Sequence, residues 1–411
     1  MLATATTLAA TAATALAATA VDFNMASQHT TLITGTKGSY TTTQETYYSQ
    51  NITLKAGHMI FTDIDKTPLK MPLGEYAITH FIGDIVFADT HEPVPLSEVY
   101  CHHWTAVSST HKNQLCHDRI EYTFGIGAES RNSPVDFPPG YGMVVPAGTK
   151  WGANIHLLRT EGLAGDNPHK AAKECNECYY SPVKGGRCTP KANGTFDCCG
   201  EGDYNGVMSC ATVVDAPPPR NYQLRYTFNY TRAVSQLTPV RVGTMAAPTC
   251  DTFYSVLRDE AQPYNHVSYE LPIPAAASVL FAVGHLHTGG INISLSVNDR
   301  RVCTSYPTYG TQPGVAGDEQ GYLVRMSHCL DAASGKLELK KGDRLTVDAF
   351  YYAGADDTRL LYADGTHLNV MAYMYVGYYR PEESRLGGWD AEFWGDAAPQ
   401  VERGALPMEL A

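Results

Sequence analysis

Residues 222–231 read Tyr-Gln-Leu-Arg-Tyr-Thr-Phe-Asn-Tyr-Thr, and this stretch indicates the fold class. Its large apolar and aromatic side chains alternate with polar ones at every second position, which is the period of a strand with one buried face. Residues 345–349 alternate in the same way after the turn sequence Lys341-Gly342-Asp343, as expected for an antiparallel strand that follows a tight turn. The sequence has no long segment of helical periodicity, so we predict an all-β protein made of antiparallel sheets.

Length and composition narrow the possible architectures and partners. The chain has 411 residues, too many for one ordinary hydrophobic core, and this favours two domains. Its 26 tyrosines outnumber its 12 phenylalanines, which fits tyrosine-rich β structure better than helix bundles. The formal net charge of -12 argues against a nucleic-acid backbone or an anionic membrane surface as the partner, because both attract clustered Lys and Arg.

The tri-proline in Asp215-Ala-Pro-Pro-Pro-Arg220 is the predicted linker between the two domains, because proline can neither donate to a β-ladder nor continue a helix. We therefore expect an N-terminal β-sandwich over residues 21–215 and a C-terminal β-sandwich over residues 220–380. Residues 173–210 hold six of the eleven cysteines without any hydrophobic period and are expected to form a disulfide-stapled loop. Residues 381–411 are expected to be an irregular tail.

Several features predict secretion. Residues 1–20 are almost wholly Ala, Thr and Leu and end in Ala18-Thr-Ala20, a pattern that a signal peptidase could cut; a disordered leader is the alternative. Glycosylation sequons begin at Asn51, Asn193, Asn229 and Asn292, as expected for a glycoprotein. No later stretch approaches the roughly 20 apolar residues needed to cross a bilayer. We expect a secreted protein with no membrane span.

The eleven cysteines suit an oxidising compartment. We expect Cys303 to pair with Cys329. The motif Cys175-Asn-Glu-Cys178 could hold zinc, but disulfides are the favoured interpretation in a secreted chain. The odd count leaves at least one thiol free or intermolecular, and Cys101 and one of Cys198 and Cys199 are the candidates.

A first candidate metal group comprises His102, His103 and His156. The adjacent pair His102-His103 ends a strand-like run, and adjacent residues on a regular strand point to opposite faces. The two can serve one ion only if the strand is bulged or strongly twisted there. His156 shares the polar face of its own strand pattern with Asn154. Ordinary solvated histidines are the alternative at each position.

A second candidate metal group comprises His285, His287 and Met371. Residues i and i+2 of a strand project from the same face about 7 Å apart at the root, so His285 and His287 can converge on one ion. Met371 falls on the polar face of its strand pattern, whereas Met374 falls on the apolar face and should lie in the core. A thioether with two imidazoles suits copper, especially Cu(I), while zinc remains the alternative metal for the first group. His367 is either a group behind the ligands or a spectator.

Motifs for other chemistries are weak. Gly125-Ile-Gly127 lacks the third glycine of a dinucleotide-binding loop, and neither a phosphate-binding loop nor a nucleophile elbow occurs.

Four segments together resemble the stress up-regulated nodulin family, best known from plants, over about residues 40–380. They are the stretches 94–104, with Tyr-Cys-His-His-Trp, 283–290, with Val-Gly-His-Leu-His-Thr-Gly-Gly, 301–310 and 317–329. That family in turn resembles, remotely, the copper type II ascorbate-dependent monooxygenases, peptidylglycine hydroxylase and dopamine hydroxylase.

The resemblance implies two jelly-roll-like sandwiches with one copper ion each, and ascorbate as the electron donor. The first copper would lie on His102, His103 and His156, and the second, which activates dioxygen, on His285, His287 and Met371. Tyr375 matches a tyrosine four residues after the methionine and is the candidate catalytic residue. Val283 stands where the peptide-processing enzymes have a carboxylate-gripping arginine, which argues against a peptidylglycine substrate. The sequence thus leaves two interpretations, a copper monooxygenase acting on a C–H bond of an unknown substrate and a non-catalytic secreted glycoprotein that binds metal or a ligand.

Overall fold

The structure is a computed structural model, and it describes residues 21–116, 123–161, 177–178, 195–196, 206–209, 216–251, 253–256, 259–330, 336–354 and 369–380. These residues are almost entirely strands and loops, as the sequence predicted. No helix within these ranges has the length and apolar character needed to cross a membrane.

Within the described ranges, fifteen strands precede residue 240 and thirteen follow it. Those in the first part are β1 Phe23–Gly35, β2 Gly38–Ser49, β3 Ile52–Leu54, β4 His58–Phe61, β5 Tyr76–Phe87, β6 Val99–Ser108, β7 Phe124–Ile126, β8 Val135–Asp136, β9 Tyr141–Val145, β10 Trp151–Arg159, β11 Glu177–Cys178, β12 Thr195–Phe196, β13 Gly206–Ser209, β14 Arg220–Thr231 and β15 Thr238–Pro239. Those in the second part are β16 Arg241–Ala246, β17 Tyr254–Ser255, β18 Tyr264–Pro272, β19 Ala277–Leu286, β20 Gly290–Val297, β21 Arg300–Ser305, β22 Pro307–Tyr309, β23 Leu323–Met326, β24 His328–Leu330, β25 Leu337–Leu339, β26 Arg344–Tyr352, β27 Asn369–Val370 and β28 Ala372–Tyr379. Short 3-10 turns occupy Ile64–Lys66, Ser130–Asn132 and Val234–Gln236.

The first half is a sandwich of two sheets. One sheet has the order β1-β2-β14-β5-β9-β15, with β3 on β14 and β8 on β5, and the other has the order β13-β4-β10-β6-β7. Phe81 of β5 stacks on Phe124 of β7 with ring centroids 4.7 Å apart and contacts Trp104 of β6, so the two sheets share an aromatic core. All pairings in these sheets are antiparallel except that of β15 with β9.

Strand β14 confirms the predicted alternation, because Tyr222, Leu224, Tyr226 and Phe228 are buried while the residues between them are half-buried. Its place differs from expectation. The strand follows the tri-proline and was expected to open the second sandwich, but it pairs with β2 and β5 of the first sheet. The chain passes from one half to the other at Val240, between β15 and β16.

The second half is also a sandwich. One sheet has the order β16-β28-β19-β24, with β25 on β19, and the other has the order β18-β26-β20-β21. Strand β26 alternates between buried and half-buried positions, and Gly342 in the preceding turn has a φ of 89°, which confirms the predicted turn and strand. Met374 is fully buried in this core, as predicted.

The two halves share a core. The apolar cluster of the first half includes Val242, Phe281 and Val324 from the second. Phe137 and Phe281 have ring centroids 5.8 Å apart across this junction. The short segment Glu129–Ser133 adds polar links, because Arg131 pairs with Asp84 of its own half and with the fully buried Glu319 of the other.

Two disulfides are present among the described cysteines. Cys303 pairs with Cys329, as predicted, and Cys116 pairs with Cys250 across 134 residues of sequence, linking the two halves. Cys101 is a buried free thiol, and burial raises its pKa far above the ordinary value. The side chains of the cysteines in segment 173–210, and His367, lie outside the described residues. The two disulfides fit an extracellular protein.

Candidate metal centre

The first histidine group is assembled by a β-bulge. Strand β6 pairs with β10 in a register that matches His156 to His103 and then Leu157 to Cys101, so His102 is the extra residue. A bulge re-aims a side chain that would otherwise point to the opposite face. This is the distortion that the adjacent histidines required, and it brings nitrogen atoms of His102, His103 and His156 within 4.8 Å of one another.

Hydrogen bonds assign the tautomers of two of these rings. The amide of Asn154 is oriented by donating to the Thr62 carbonyl, so its Oδ1 accepts from His103 Nε2 at 2.6 Å. His156 Nε2 lies 2.8 Å from the sulfur of Met59, which can only accept. Both rings therefore carry their proton on Nε2 and have the lone pair on Nδ1. His103 Nδ1 is 3.3 Å from His102 Nδ1.

Burial distinguishes this group from solvated surface histidines. His156 is 0% exposed and His102 is 4% exposed, so the polar-face position predicted for His156 is buried rather than open to water. Desolvation lowers the pKa of His103 to about 4, and the neighbouring His285 and His287 lower it further while Asn154 opposes them. The pKa of His156 is also well below the ordinary value because of burial. The rings of His103 and His156 are thus neutral at pH 7, as metal ligands must be.

The second histidine group lies at the end of β19, beside β28. The register matches His285 to Tyr373 and Val283 to Tyr375, and paired residues of antiparallel strands share a face. Tyr373 and Tyr375 therefore lie on the same face as His285, with ring centroids 5.6 and 6.5 Å from its ring. The hydroxyl of Tyr351 accepts from the backbone N–H of His287 and donates to the carbonyl of Met371, so it ties the two ligand-bearing segments together.

Met371 is buried in a small apolar cluster with Tyr373, Ala246 and the Cys116–Cys250 disulfide. Its backbone is next to the second histidine group through Tyr351, but its side chain also has the packing partners of an ordinary core methionine.

The two histidine groups meet at the junction of the halves. The rings of His102 and His287 have centroids only 5.4 Å apart. Five histidines from both halves thus form one cluster, which we call the histidine centre; His102, His156, His285 and His287 are buried and His103 is half-buried.

Glu129 is a member of this centre that the sequence did not indicate. It is 3% exposed, and its Oε1 lies 2.5 Å from Nδ1 of His285. Burial by itself would raise the pKa of Glu129, but His285, and more weakly His287, outweigh burial and hold the pKa below its ordinary value. The residue lies in an irregular segment with no period, so no pattern could have singled it out.

Gly127, the second glycine of Gly125-Ile-Gly127, has a steric role in the histidine centre. A Cβ at this position would lie 2.6 Å from His285 Cε1 and 3.0 Å from Glu129 Oε2. Only glycine leaves room here for the imidazole and carboxylate to approach each other.

The donor set fits copper. It offers imidazole nitrogens and, in Met371, a thioether, which are the donors that copper prefers, whereas calcium or magnesium would need mostly oxygen. Zinc fits the three imidazoles of the first group equally well.

A narrow cleft with a cavity volume of about 20 Å³ adjoins the second histidine group. Glu129, Val283 and Tyr375 line it, and most of its remaining wall is apolar: Phe124, Pro134, Val135, Val242 and Phe281.

The fold and the centre define a class: an all-β protein of two sandwiches with a buried histidine cluster at their junction. The chain belongs to the family described as stress up-regulated Nod 19, whose model matches residues 41–115 and 107–376.

No curated protein matches the sequence. Among solved structures, the STIV MCP is 9% identical over 82% of this chain and 99% of its own, with a TM-score of 0.29. A β-porphyranase of glycoside hydrolase family 86 from Bacteroides plebeius is 10% identical over 43% of this chain and 28% of its own, with a TM-score of 0.16. A conserved protein of unknown function from Pseudomonas aeruginosa is 4% identical over 87% of this chain and 98% of its own, with a TM-score of 0.17. These scores carry no argument about function.

Proposed function

We propose that this stress-family protein is a secreted copper protein that holds two ions in the histidine centre and uses them, with ascorbate as electron donor, to hydroxylate a C–H bond with dioxygen. The observation that carries the proposal is the convergence of five histidines from both halves, four of them buried and His103 half-buried, with His102 and His287 in ring contact. The order of the ligands along the chain, which resembles that of the ascorbate-dependent monooxygenases, adds support.

His102, His103 and His156 would hold one ion, and His285, His287 and Met371 the other. Copper bound there would supply one-electron redox chemistry and a site for dioxygen. The chain itself supplies neutral imidazoles, since burial keeps His103 and His156 unprotonated at pH 7. Asn154 and Met59 hold two of the rings in the tautomer that leaves Nδ1 available.

The wall beside Tyr375 and Val283 is mostly apolar, which favours a substrate whose reacting carbon is apolar. Val283 offers no charge to a substrate carboxylate, which argues against peptidylglycine. Tyr375 is half-buried, lines the cleft and lies near His285, so it can contact both a substrate and the groups around the second ion.

Copper content tests the first part of the proposal. His285→Ala and His287→Ala should each lower copper from about two ions per chain to about one, because each removes an imidazole of the second group. Met371→Ala should weaken the binding of the same ion, because it removes the thioether. The fold should persist in all three, since disulfides and the sandwich cores supply most of the stability. Elemental analysis after dialysis against limiting copper and zinc measures the metal, and circular dichroism measures the fold.

His266→Ala is the matched control, because His266 is a half-exposed histidine that pairs with Asp348 and is not a member of the histidine centre. It should keep both coppers. Zinc in place of copper, or a copper content that no variant changes, would contradict the proposal.

Oxygen consumption with ascorbate tests the second part. A monooxygenase transfers one atom of dioxygen into product, whereas a copper-holding protein does not turn over. The near-complete burial of His102, His156, His285 and His287 favours the non-catalytic alternative. Two tightly held coppers without ascorbate-driven oxygen uptake across a panel of small apolar substrates would select that alternative.

A further inference from the structure

We propose that Glu129 is a positioning residue for the second metal ion: its carboxylate holds His285 in the Nδ1–H tautomer and presents Nε2 to the metal. This inference rests on the proposed function for its metal, but not for the hydrogen bond itself. Glu129 belongs to the first sandwich, whereas the predicted ligands of this metal ion all belong to the second. The first sandwich would therefore help to build the second metal site.

The geometry of the pair is specific. Glu129 Oε1 lies 2.5 Å from His285 Nδ1, and an ionised carboxylate can only accept, so the proton between them belongs to the imidazole. The imidazole then has its remaining lone pair on Nε2. An imidazole between a carboxylate and a metal is oriented and made more basic by the carboxylate.

The surroundings are built for this contact. Glu129 and His285 are 3% and 4% exposed, and a buried carboxylate is costly unless a specific partner compensates for its lost hydration. The second oxygen, Oε2, is buried and has no hydrogen-bond partner among the described residues. Gly127 leaves the space that the pair occupies.

Glu129 is also held firmly in place. The same short segment docks onto the second half through Arg131, which pairs with Glu319, and through Asn132, which donates to the carbonyls of Gly317 and Val324. The carboxylate is therefore presented to β19 by a segment fixed at the junction. It follows that the affinity of the second ion depends on the docking of the halves.

Copper titration against a competing chelator tests the inference, with Glu129→Gln and Glu129→Leu in the full chain. We expect one of the two coppers to bind about 10–100-fold more weakly in Glu129→Leu, with a smaller loss in Glu129→Gln, whose amide oxygen can still accept. The other copper should keep its affinity. The Cu(II) electron paramagnetic resonance spectrum should change in one of its two components only.

Glu319→Gln is the control, because Glu319 is a fully buried carboxylate at the same junction that contacts Arg131 and the Leu96 N–H. It should lower the melting temperature without the selective loss of one copper. Equal copper affinities in Glu129→Leu and wild type, or equal losses in Glu129→Leu and Glu319→Gln, would overturn the positioning role.

A second measurement separates this inference from the proposed function. The nitrogen-15 shifts of His285 in metal-free protein report its tautomer: we expect Nδ1–H in wild type and a shift toward Nε2–H in Glu129→Leu. An Nε2–H tautomer in wild type refutes the inference whether or not copper binds. A wild-type protein with the expected tautomer but no copper refutes the proposed function and the metal-positioning role, leaving only the hydrogen bond.

Discussion

His111 shows how one buried side chain sets the response of the molecule to acid. It is 7% exposed, and its Nε2 donates to the carbonyl of Val242 across the junction of the halves. Burial lowers its pKa to about 4, with Arg241 and Lys112 adding to the effect and the hydrogen bond opposing it. The folded protein thus keeps this ring neutral at pH values where the unfolded chain protonates it.

We predict that the metal-free protein loses stability as pH falls from about 6.5 to about 4. Across this window the unfolded chain binds a proton at His111 that the folded protein does not, so stability rises with pH and is fully present above 6.5. The lowered pKa of His111 contributes up to about 3 kcal/mol to this change in the free energy of unfolding. Urea denaturation at several pH values, with chelator present, measures it.

His111→Gln is the matched variant, because its amide can still donate to Val242 but does not titrate. Its unfolding free energy should depend less steeply on pH than that of the wild type. An unchanged slope would show that His111 does not contribute, and the remaining slope then belongs to groups such as His103.

The alternation of buried and half-buried residues within a strand could be predicted from the sequence. The strands with which it pairs could not. The alternation of residues 222–231 determined which side chains of β14 are buried. Its partners β2 and β5 lie more than 130 residues earlier, and nothing local in the sequence encodes that choice. The tri-proline marked a true break in secondary structure but not the change of sandwich.

The residues of the candidate site also fall into those that the local sequence indicates and those that depend on tertiary contacts. His285 and His287 are two residues apart at the end of one strand, so strand geometry alone indicated that they converge. His102 and His103 needed a bulge, which depends on pairing with β10. Glu129 and Gly127 could not be found at all, because their role comes from a contact between sequence-distant segments in irregular structure.

The two disulfides differ in the length of chain that they close, and this gives a prediction. Cys116–Cys250 closes 134 residues and Cys303–Cys329 closes 26. The chain-entropy model gives about 5 kcal/mol for the longer loop and about 3.5 kcal/mol for the shorter one. Cys116→Ala/Cys250→Ala should therefore be destabilised by more than Cys303→Ala/Cys329→Ala.

Chemical denaturation of the two double variants measures the difference. The two pairs serve as controls for each other, since each replaces one disulfide with two alanines. An equal loss of unfolding free energy, or a larger loss for the shorter loop, would contradict the entropic account.

The two halves are joined by a shared apolar core and by a network of buried ion pairs. Arg131 pairs with Asp84, which also accepts from Arg225, and with Glu319 of the second half. Because these contacts cross the junction, we expect both halves to unfold together in one cooperative transition.

Removing Arg131 tests this expectation. Arg131→Met leaves Glu319 buried without its cation, and the loss of one partner of a buried pair costs about 3–5 kcal/mol. We expect one transition at a lower denaturant concentration, and partial recovery in Arg131→Met/Glu319→Gln. Arg344→Met, which removes exposed ion pairs with Glu270 and Asp299, should change stability little. Two separate transitions in the wild type would show that the halves are independent.

The position of β14 between β2 and β5 also imposes an order on biosynthesis. A ribosome releases β2 and β5 long before it reaches residues 220–231, so the nascent chain carries two long unpaired strand edges while the cysteine-rich segment is still being made. Exposed edges of this kind recruit other chains, and aggregation is the usual failure. Strands β2 and β5 are joined only when β14 inserts between them, so this protein should depend on chaperones that cover strand edges during translation, even though its finished form has the stability of a disulfide-bonded sandwich.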